Sequence, residues 1–195
     1  MEWFNENISF PLRRRYLVKY LSPYLRSSKT ILDLGASCGR LANELSKNLP
    51  DTEFVGLDTH VQSKTYIPVK KYNGKQIPFP NNSFDCVMII DVLHHDKNPA
   101  IILQEAGRVS KKYILIKDHY WNNRLDFLFL KFADYFGNKP YEIELPYNFL
   151  RIADMESMIK ETNFKIIKSQ RFRYMAFDPV KNVIYLLEKR EVQIY

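Results

Sequence analysis

The stretch Ile31-Leu32-Asp33-Leu34-Gly35-Ala36-Ser37-Cys38-Gly39-Arg40-Leu41 decides the fold. A short apolar run ends in a carboxylate and enters a turn of small residues. A helix-compatible segment from Leu41 to Leu49 follows at once. That order reads as a nucleotide-binding strand-turn-helix. Gly35 and Gly39 permit backbone angles and close approaches that a side chain would block. The turn is expected to leave unpaired N–H groups at the helix start, facing a ligand. Ser37 stands where many such turns carry glycine, so the pattern departs from G-x-G-x-x-G. A tight turn in an ordinary α/β protein would read the same way.

The neighbouring segments extend the pattern. Thr52-Glu53-Phe54-Val55-Gly56-Leu57-Asp58 is a second strand-like run whose terminal carboxylate lies 23 residues beyond Gly35, the offset of a ribose-binding acid. An ionised Asp58 can accept hydrogen bonds from both ribose hydroxyls; its alternative role is to cap the next turn. Ser83 to Asp91 is almost continuously apolar at its centre, as in a strand buried on both faces, and Lys112 to Lys117 has the same character. Between them, Pro99 to Val109 places Ile101, Ile102, Leu103, Ala106 and Val109 at helix spacing. Its polar face is Gln104, Glu105 and Arg108. Strands alternating with helices imply a parallel sheet covered on both faces.

A chain of 195 residues can bury one core, and it has no linker that would divide it. Residues 1–195 are therefore expected to form one domain, with a helical cap over 1–29 and an aromatic-rich insertion over 120–150. Pro11 to Arg26 reads as a helix with Leu12, Tyr16, Val18, Tyr20 and Leu21 on an apolar side. The two cysteines, Cys38 and Cys86, have no metal-ligand spacing, and they suit free thiols in a reducing compartment. The N-terminus lacks the pattern of a signal peptide and no apolar run reaches membrane-spanning length, so a cytoplasmic location is expected. The net charge of +7, dense at Arg13-Arg14-Arg15, suits nucleic acid, anionic lipid or a phosphorylated ligand, and equally a solvated helix face. Monomer and homodimer both remain open.

The order ILDLGASCG, VGLD, IPFPNNSFDCVMIIDVLHH, RVSKKYILIKDH resembles the class I S-adenosylmethionine-dependent methyltransferases, specifically small-molecule, type 11-like members, over about Thr30 to His119. The resemblance implies a Rossmann-like, doubly wound, mostly parallel seven-stranded sheet with helices on both faces. It also implies an antiparallel C-terminal strand pair, here Phe164 to Arg171 and Asn182 to Lys189. The implied cofactor is S-adenosylmethionine, with S-adenosylhomocysteine as product. Asp33 matches the acid that contacts the methionyl amino group. Gly35, Ala36, Ser37 and Gly39 match the turn against the methionine moiety. Asp58 matches the ribose acid, with Leu57 and Thr59 beside the adenine. No carboxylate lies between Thr59 and Phe84 to pair with the adenine amino group, which leaves Asn73 for that edge and Ile77 as an apolar contact to the ring. Asp91 and Val92 fall where the family places the transferring methyl group. An N-terminal helix covers the cofactor in this family, so Arg13 or Arg14 is expected to pair with its carboxylate.

Methyl transfer is an in-line displacement that depends mainly on alignment, and a general base is needed only where the acceptor holds its proton at neutral pH. Asp91, His94, His95 and the Asp118-His119 pair are the candidates at the strand ends. Neighbours on a strand point to opposite faces, so Asp118 and His119 are not expected to form a dyad. Tyr120, Trp121, Tyr147 and Asn148 are the candidates for the acceptor cavity. Trp121 to Phe136 is apolar over more than one core face, and the excess could line that cavity or meet a partner or a lipid surface. Three functions stand open: methyl transfer to a small, aromatic or lipid-like molecule; methylation of nucleic acid or protein; and a cofactor-binding scaffold or regulator. Asp91-Val92-Leu93-His94 lacks the Asn/Asp-Pro-Pro-aromatic sequence that holds a flipped base, which argues against nucleic acid.

Overall fold

The structure, a computed structural model, describes residues 10–138 and 147–190. Its elements in chain order are α1 (Phe10–Leu25), β1 (Thr30–Leu34), α2 (Arg40–Ser46), β2 (Glu53–Asp58), β3 (Val69–Lys71) and β4 (Phe84–Ile90). A 3-10 turn (Leu93–His95) leads to α3 (Pro99–Val109) and β5 (Ser110–Tyr120). There follow α4 (Arg124–Asn138), α5 (Ile152–Lys160), β6 (Phe164–Phe172) and β7 (Lys181–Lys189). Residues 139–146 of the expected aromatic-rich insertion, and residues 1–9 of the expected cap, lie outside the described residues.

Seven strands form one sheet in the order β3-β2-β1-β4-β5-β7-β6. The pairs among β1 to β5 are parallel, and β7 runs antiparallel to both β5 and β6. The chain winds outward from β1 through β2 to β3, then returns to the other side of β1 as β4 and β5. The crevice between the carboxyl ends of β1 and β4 is therefore the topological switch point, where open α/β sheets bind ligands.

Side chains alternate between two cores. Leu32, Leu34, Val87, Ile89, Ile114 and Ile116 pack on one face with α3 and α5. Ile31, Cys86, Met88 and Leu115 pack on the other with α1 and α2. The buried stripe of α1 is Leu17, Leu21 and Leu25, at four-residue spacing, while Leu12 and Tyr16 are exposed. This corrects the expected apolar side: a helix buries one narrow row against a sheet, and the row here starts at Leu17. Strand β6 is largely exposed and carries Lys165, Lys168 and Arg171, charges that blunt a sheet edge. Strand β5 continues through Tyr120, so Asp118 and His119 belong to the strand and not to the loop after it. Both cysteines are free, and burial pushes the Cys86 thiol up to about 12. No helix among the described residues is long and apolar enough to cross a membrane.

Candidate active site

A cavity of about 240 Å³ opens at the switch point, lined by Arg13, Arg14 and Leu17 of α1, Asp33, Gly35, Ala36, Leu41, Ile90 and Asp91. The turn that shapes it reverses the chain through three left-handed residues, Gly35 (φ 80°), Ser37 (φ 51°) and Gly39 (φ 72°). A Cβ on Gly35 would lie 2.4 Å from Val92 Cγ2, and one on Gly39 would lie 2.4 Å from Ile67 Cγ1. The glycines thus admit other parts of this chain, and Val92 acts as the wedge under Gly35.

Within the turn itself, before the helix starts at Arg40, most N–H groups are paired inside the chain. Gly35 and Ala36 donate to the Leu57 carbonyl at 2.8 and 3.1 Å, Gly39 donates to the Ala36 carbonyl at 2.7 Å, and Ser37 donates to Asp58 Oδ2 at 2.7 Å. A turn wedged against β2 finds its acceptors there, so its amides stabilise the loop. Asp58 also accepts the His60 N–H on Oδ1 at 2.8 Å. Its carboxylate joins the two loops, and each oxygen retains a second lone pair for a ligand hydroxyl.

The two carboxylates of the cavity differ sharply. Asp33 is 4% exposed, and burial, followed by the nearby Asp58 charge, pushes it up to about 7. Asp91, at the tip of β4 with φ 56°, receives Arg13 Nη2 at 3.3 Å and Lys117 Nζ at 2.5 Å, and His119 Nε2 lies 3.3 Å away. Burial opposes its charge, but Lys117, His119 and Arg13 prevail and hold it well below the usual carboxylate range. Arg14 pairs with Glu44 at 3.0 Å, so the two arginines divide: Arg13 serves Asp91 and Arg14 closes α1 on α2. A guanidinium has five donors, and both face the cavity with donors to spare.

Toward the β2 edge, Leu57 is buried and Thr59 exposed beside the Gly74 turn. Asn73 uses its Oδ1 to accept the Lys75 and Gln76 N–H groups. Ile77 is buried, and its backbone is clamped by α3: its N–H donates to Glu105 and its carbonyl accepts from Arg108. The polar face of α3 therefore positions the Ile77 segment.

Toward the β5 edge, three imidazoles gather. His94 is buried; its Nδ1–H donates to Asp118 Oδ1 at 2.5 Å, which leaves Nε2 as the basic nitrogen. Its ring lies 4.0 Å from that of His95 and 5.2 Å from that of His119. Burial, then the neighbouring His94, pushes His95 down to about 4; burial, then Lys117, pushes His119 well below the ordinary range. Both are neutral at physiological pH. As expected, Asp118 and His119 do not pair through their side chains, because they stand on opposite faces of β5. Phe149 stacks on His94 at 5.4 Å and its carbonyl accepts from Trp121 Nε1. Tyr120 is packed in the core under Arg171, Tyr147 (φ 52°) sits under Lys131, and Asn148 ties its segment to the Asp96 carbonyl at 2.9 Å. Of these four, Trp121 and Tyr147 stand half-buried at the rim, whereas Tyr120 and Asn148 are taken up in packing and in a backbone tie.

Lys117 and Phe149 are the functional-site residues that sequence reasoning missed. Lys117 is fully buried, which hydropathy cannot anticipate; a lysine one residue before an acid-imidazole pair at a strand end was the available signal. Among the described residues no group of His, Cys, Asp or Glu is arranged to hold a metal ion.

Comparison with known proteins agrees with this geometry. The methyltransferase domain family matches residues 11–169. An uncharacterized protein of Methanocaldococcus jannaschii, MJ1123, is 26% identical over 198 residues, spanning 93% of this chain and 85% of that protein. The PH0226 protein of Pyrococcus horikoshii superposes with a TM-score of 0.73 at 14% identity, covering 94% of this chain and 92% of that one. A SAM-dependent methyltransferase of Methanosarcina mazei superposes with a TM-score of 0.67 at 17% identity, covering 89% and 98%. The chain belongs to the methyltransferase domain family, within the class I S-adenosylmethionine-dependent superfamily.

Proposed function

We propose that this methyltransferase binds S-adenosylmethionine in the switch-point cavity and methylates a small, aromatic or lipid-like molecule at the β4–β5 rim. The observation that carries the reading is the charge arrangement of the cavity. Asp33 is a buried carboxylate with no cation paired to it among the described residues, suited to an ammonium. Arg13 and Arg14 on the opposite wall suit a carboxylate. An α-amino acid carries both groups, and the methionyl end of the cofactor is one.

The residues present fit that cofactor. Asp33, Gly35, Ala36 and Arg14 would hold its amino-acid end, with Ser37 and Gly39 shaping the turn around it. Asp58 would hold its ribose, Leu57, Thr59, Asn73 and Ile77 would surround its base, and Asp91 and Val92 would bound the methyl. The cofactor supplies a sulfonium-activated methyl, so the chain is left with orientation, exclusion of water and proton removal. His119, neutral at the end of β5, and His94, held in the turn after β4 with its Nδ1 against Asp118, are the candidate bases, with His95 beside them. Trp121 and Tyr147 would present aromatic surface to the acceptor; Tyr120 and Asn148 would support them from behind.

A second reading, a cofactor-binding scaffold, draws on the turn amides and Asp58 already being paired within the chain. Incubation with a labelled methyl donor and a panel of phenols, quinols and lipid-like amphiphiles separates the two. Labelled product formed only with the right acceptor is expected of the enzyme. Cofactor bound without turnover on any acceptor would favour the scaffold.

A further inference from the structure

The exposed apolar side chains cluster around the mouth of the site. On α4, Leu125 (66% exposed), Leu128, Phe129 and Phe132 (65% exposed) form one outward face, and Phe177 (80% exposed) with Met175 projects from the loop before β7. Both segments emerge at the carboxyl edge of β5. They are tied together by the ion pair of Lys181 with Asp126, 2.7 Å, at the base of α4. The inner face of α4 meets the site: Phe127 packs on Trp121 and Phe149, and Phe149 stacks on His94. One helix thus covers the imidazole cluster with one side and turns an exposed apolar side outward.

Charge selects the occupant of that face. Arg124, Lys131, Arg151 and Arg173 are exposed around it, and the acid on the helix's first turn, Asp126, is buried against Lys181. The whole chain carries +7. At the opposite edge of the sheet the surface is charged and self-paired, as between Lys111 and Asp85 at 3.2 Å. An amphipathic helix with an apolar face and a basic border matches an anionic membrane interface, where apolar residues insert below the headgroups and cations pair with lipid phosphates.

We propose that this edge docks on an anionic lipid bilayer, with α4 lying in the interface as the anchor. The acceptor is then an amphiphile drawn from that bilayer, a clause that rests on the methyl-transfer reading; the docking does not.

The test is co-sedimentation of the full chain with phosphatidylcholine vesicles, with and without phosphatidylglycerol, across a salt series. The expected result is binding to the anionic vesicles that weakens with salt. The double substitution Leu128→Ser/Phe129→Ser lowers the partition about tenfold or more, and Lys111→Glu at the far edge leaves it unchanged. Circular dichroism and calorimetric titration of S-adenosylhomocysteine on the same variant show that fold and cofactor affinity are retained. Absence of binding at low salt, or equal binding by the double variant, overturns the docking. A dimer that the double substitution dissociates assigns the face to a second copy and overturns it as well. Vesicle binding by a chain that takes up no S-adenosylhomocysteine leaves the docking standing and removes the acceptor clause together with the methyl-transfer reading.

Discussion

Asp33 and Asp91 face one cavity from adjacent strands, and the chain treats them in opposite ways. At the β1 wall, burial and the Asp58 charge push Asp33 up to about 7, with no cation among the described residues to offset them. At the β4 wall, Lys117, His119 and Arg13 overcome the same burial and hold Asp91 ionised. Asp91 is part of the architecture that holds α1 over the site, whereas Asp33, on the reading proposed above, receives a positive charge arriving from outside.

The largest effect is expected from removing the architectural charge. Asp91→Asn keeps the shape and tolerates the left-handed backbone, but it leaves Lys117 fully buried without its anion. A loss of about 3 kcal/mol in urea unfolding is expected. Adding Lys117→Met should recover most of it; a cost of a few tenths for Asp91→Asn alone would show that the pair is not structural.

The two walls are joined by the wedge of Val92 under Gly35. Gly35→Ala meets both the left-handed φ and the 2.4 Å approach, so a loss of about 2 kcal/mol is expected in the same assay. Gly35→Ala/Val92→Ala should relieve the collision and leave a residual of about 1 kcal/mol from the backbone alone.

Asp33 calls for a pH experiment. Its folded value of about 7 lies above the ordinary 3.8, so the folded state holds the extra proton and stability falls as pH rises from about 4 to about 7. His95 acts in the opposite sense: its folded value of about 4 lies below 6.5, so stability is lost as pH falls from about 6.5 toward 4. The two slopes oppose each other in the wild type. Asp33→Asn should therefore unmask a stability that climbs with pH over that window. It should also weaken S-adenosylhomocysteine binding about tenfold at pH 8. An unchanged slope would mean that Asp33 is already solvated.

The smallest effect probes the acceptor side. Asn148→Ala removes the tie to the Asp96 carbonyl and should cost about 1 kcal/mol in thermal unfolding. Cofactor affinity should stay constant, because neither Asn148 nor Asp96 lines the cavity that holds Asp33.

What could be read from the chain alone follows a physical line. Periodic or continuous apolar runs disclosed Phe84–Ile90 and Pro99–Val109, and the turn after Asp33 disclosed the crevice. Strand β3, Val69–Lys71, escaped because three residues with two lysines carry no periodicity. Buried Lys117 escaped because its burial depends on an acid 26 positions earlier, and the pairing of His94 with Asp118 likewise joins residues 24 apart. The pairing of the Gly35 and Ala36 amides was not legible because their acceptor, the Leu57 carbonyl, is supplied by a neighbouring strand. Local sequence carries periodicity and turn chemistry; partners across the sheet come only with the fold.

The most direct test of Asp33 as the receptor for a cofactor ammonium is calorimetric titration of S-adenosylhomocysteine near pH 6 in two buffers of different ionisation enthalpy. Binding at one site is expected, with a heat that differs between the buffers because Asp33 gives up its proton as the ammonium docks. A titration without heat, or one whose heat is the same in both buffers, would contradict it.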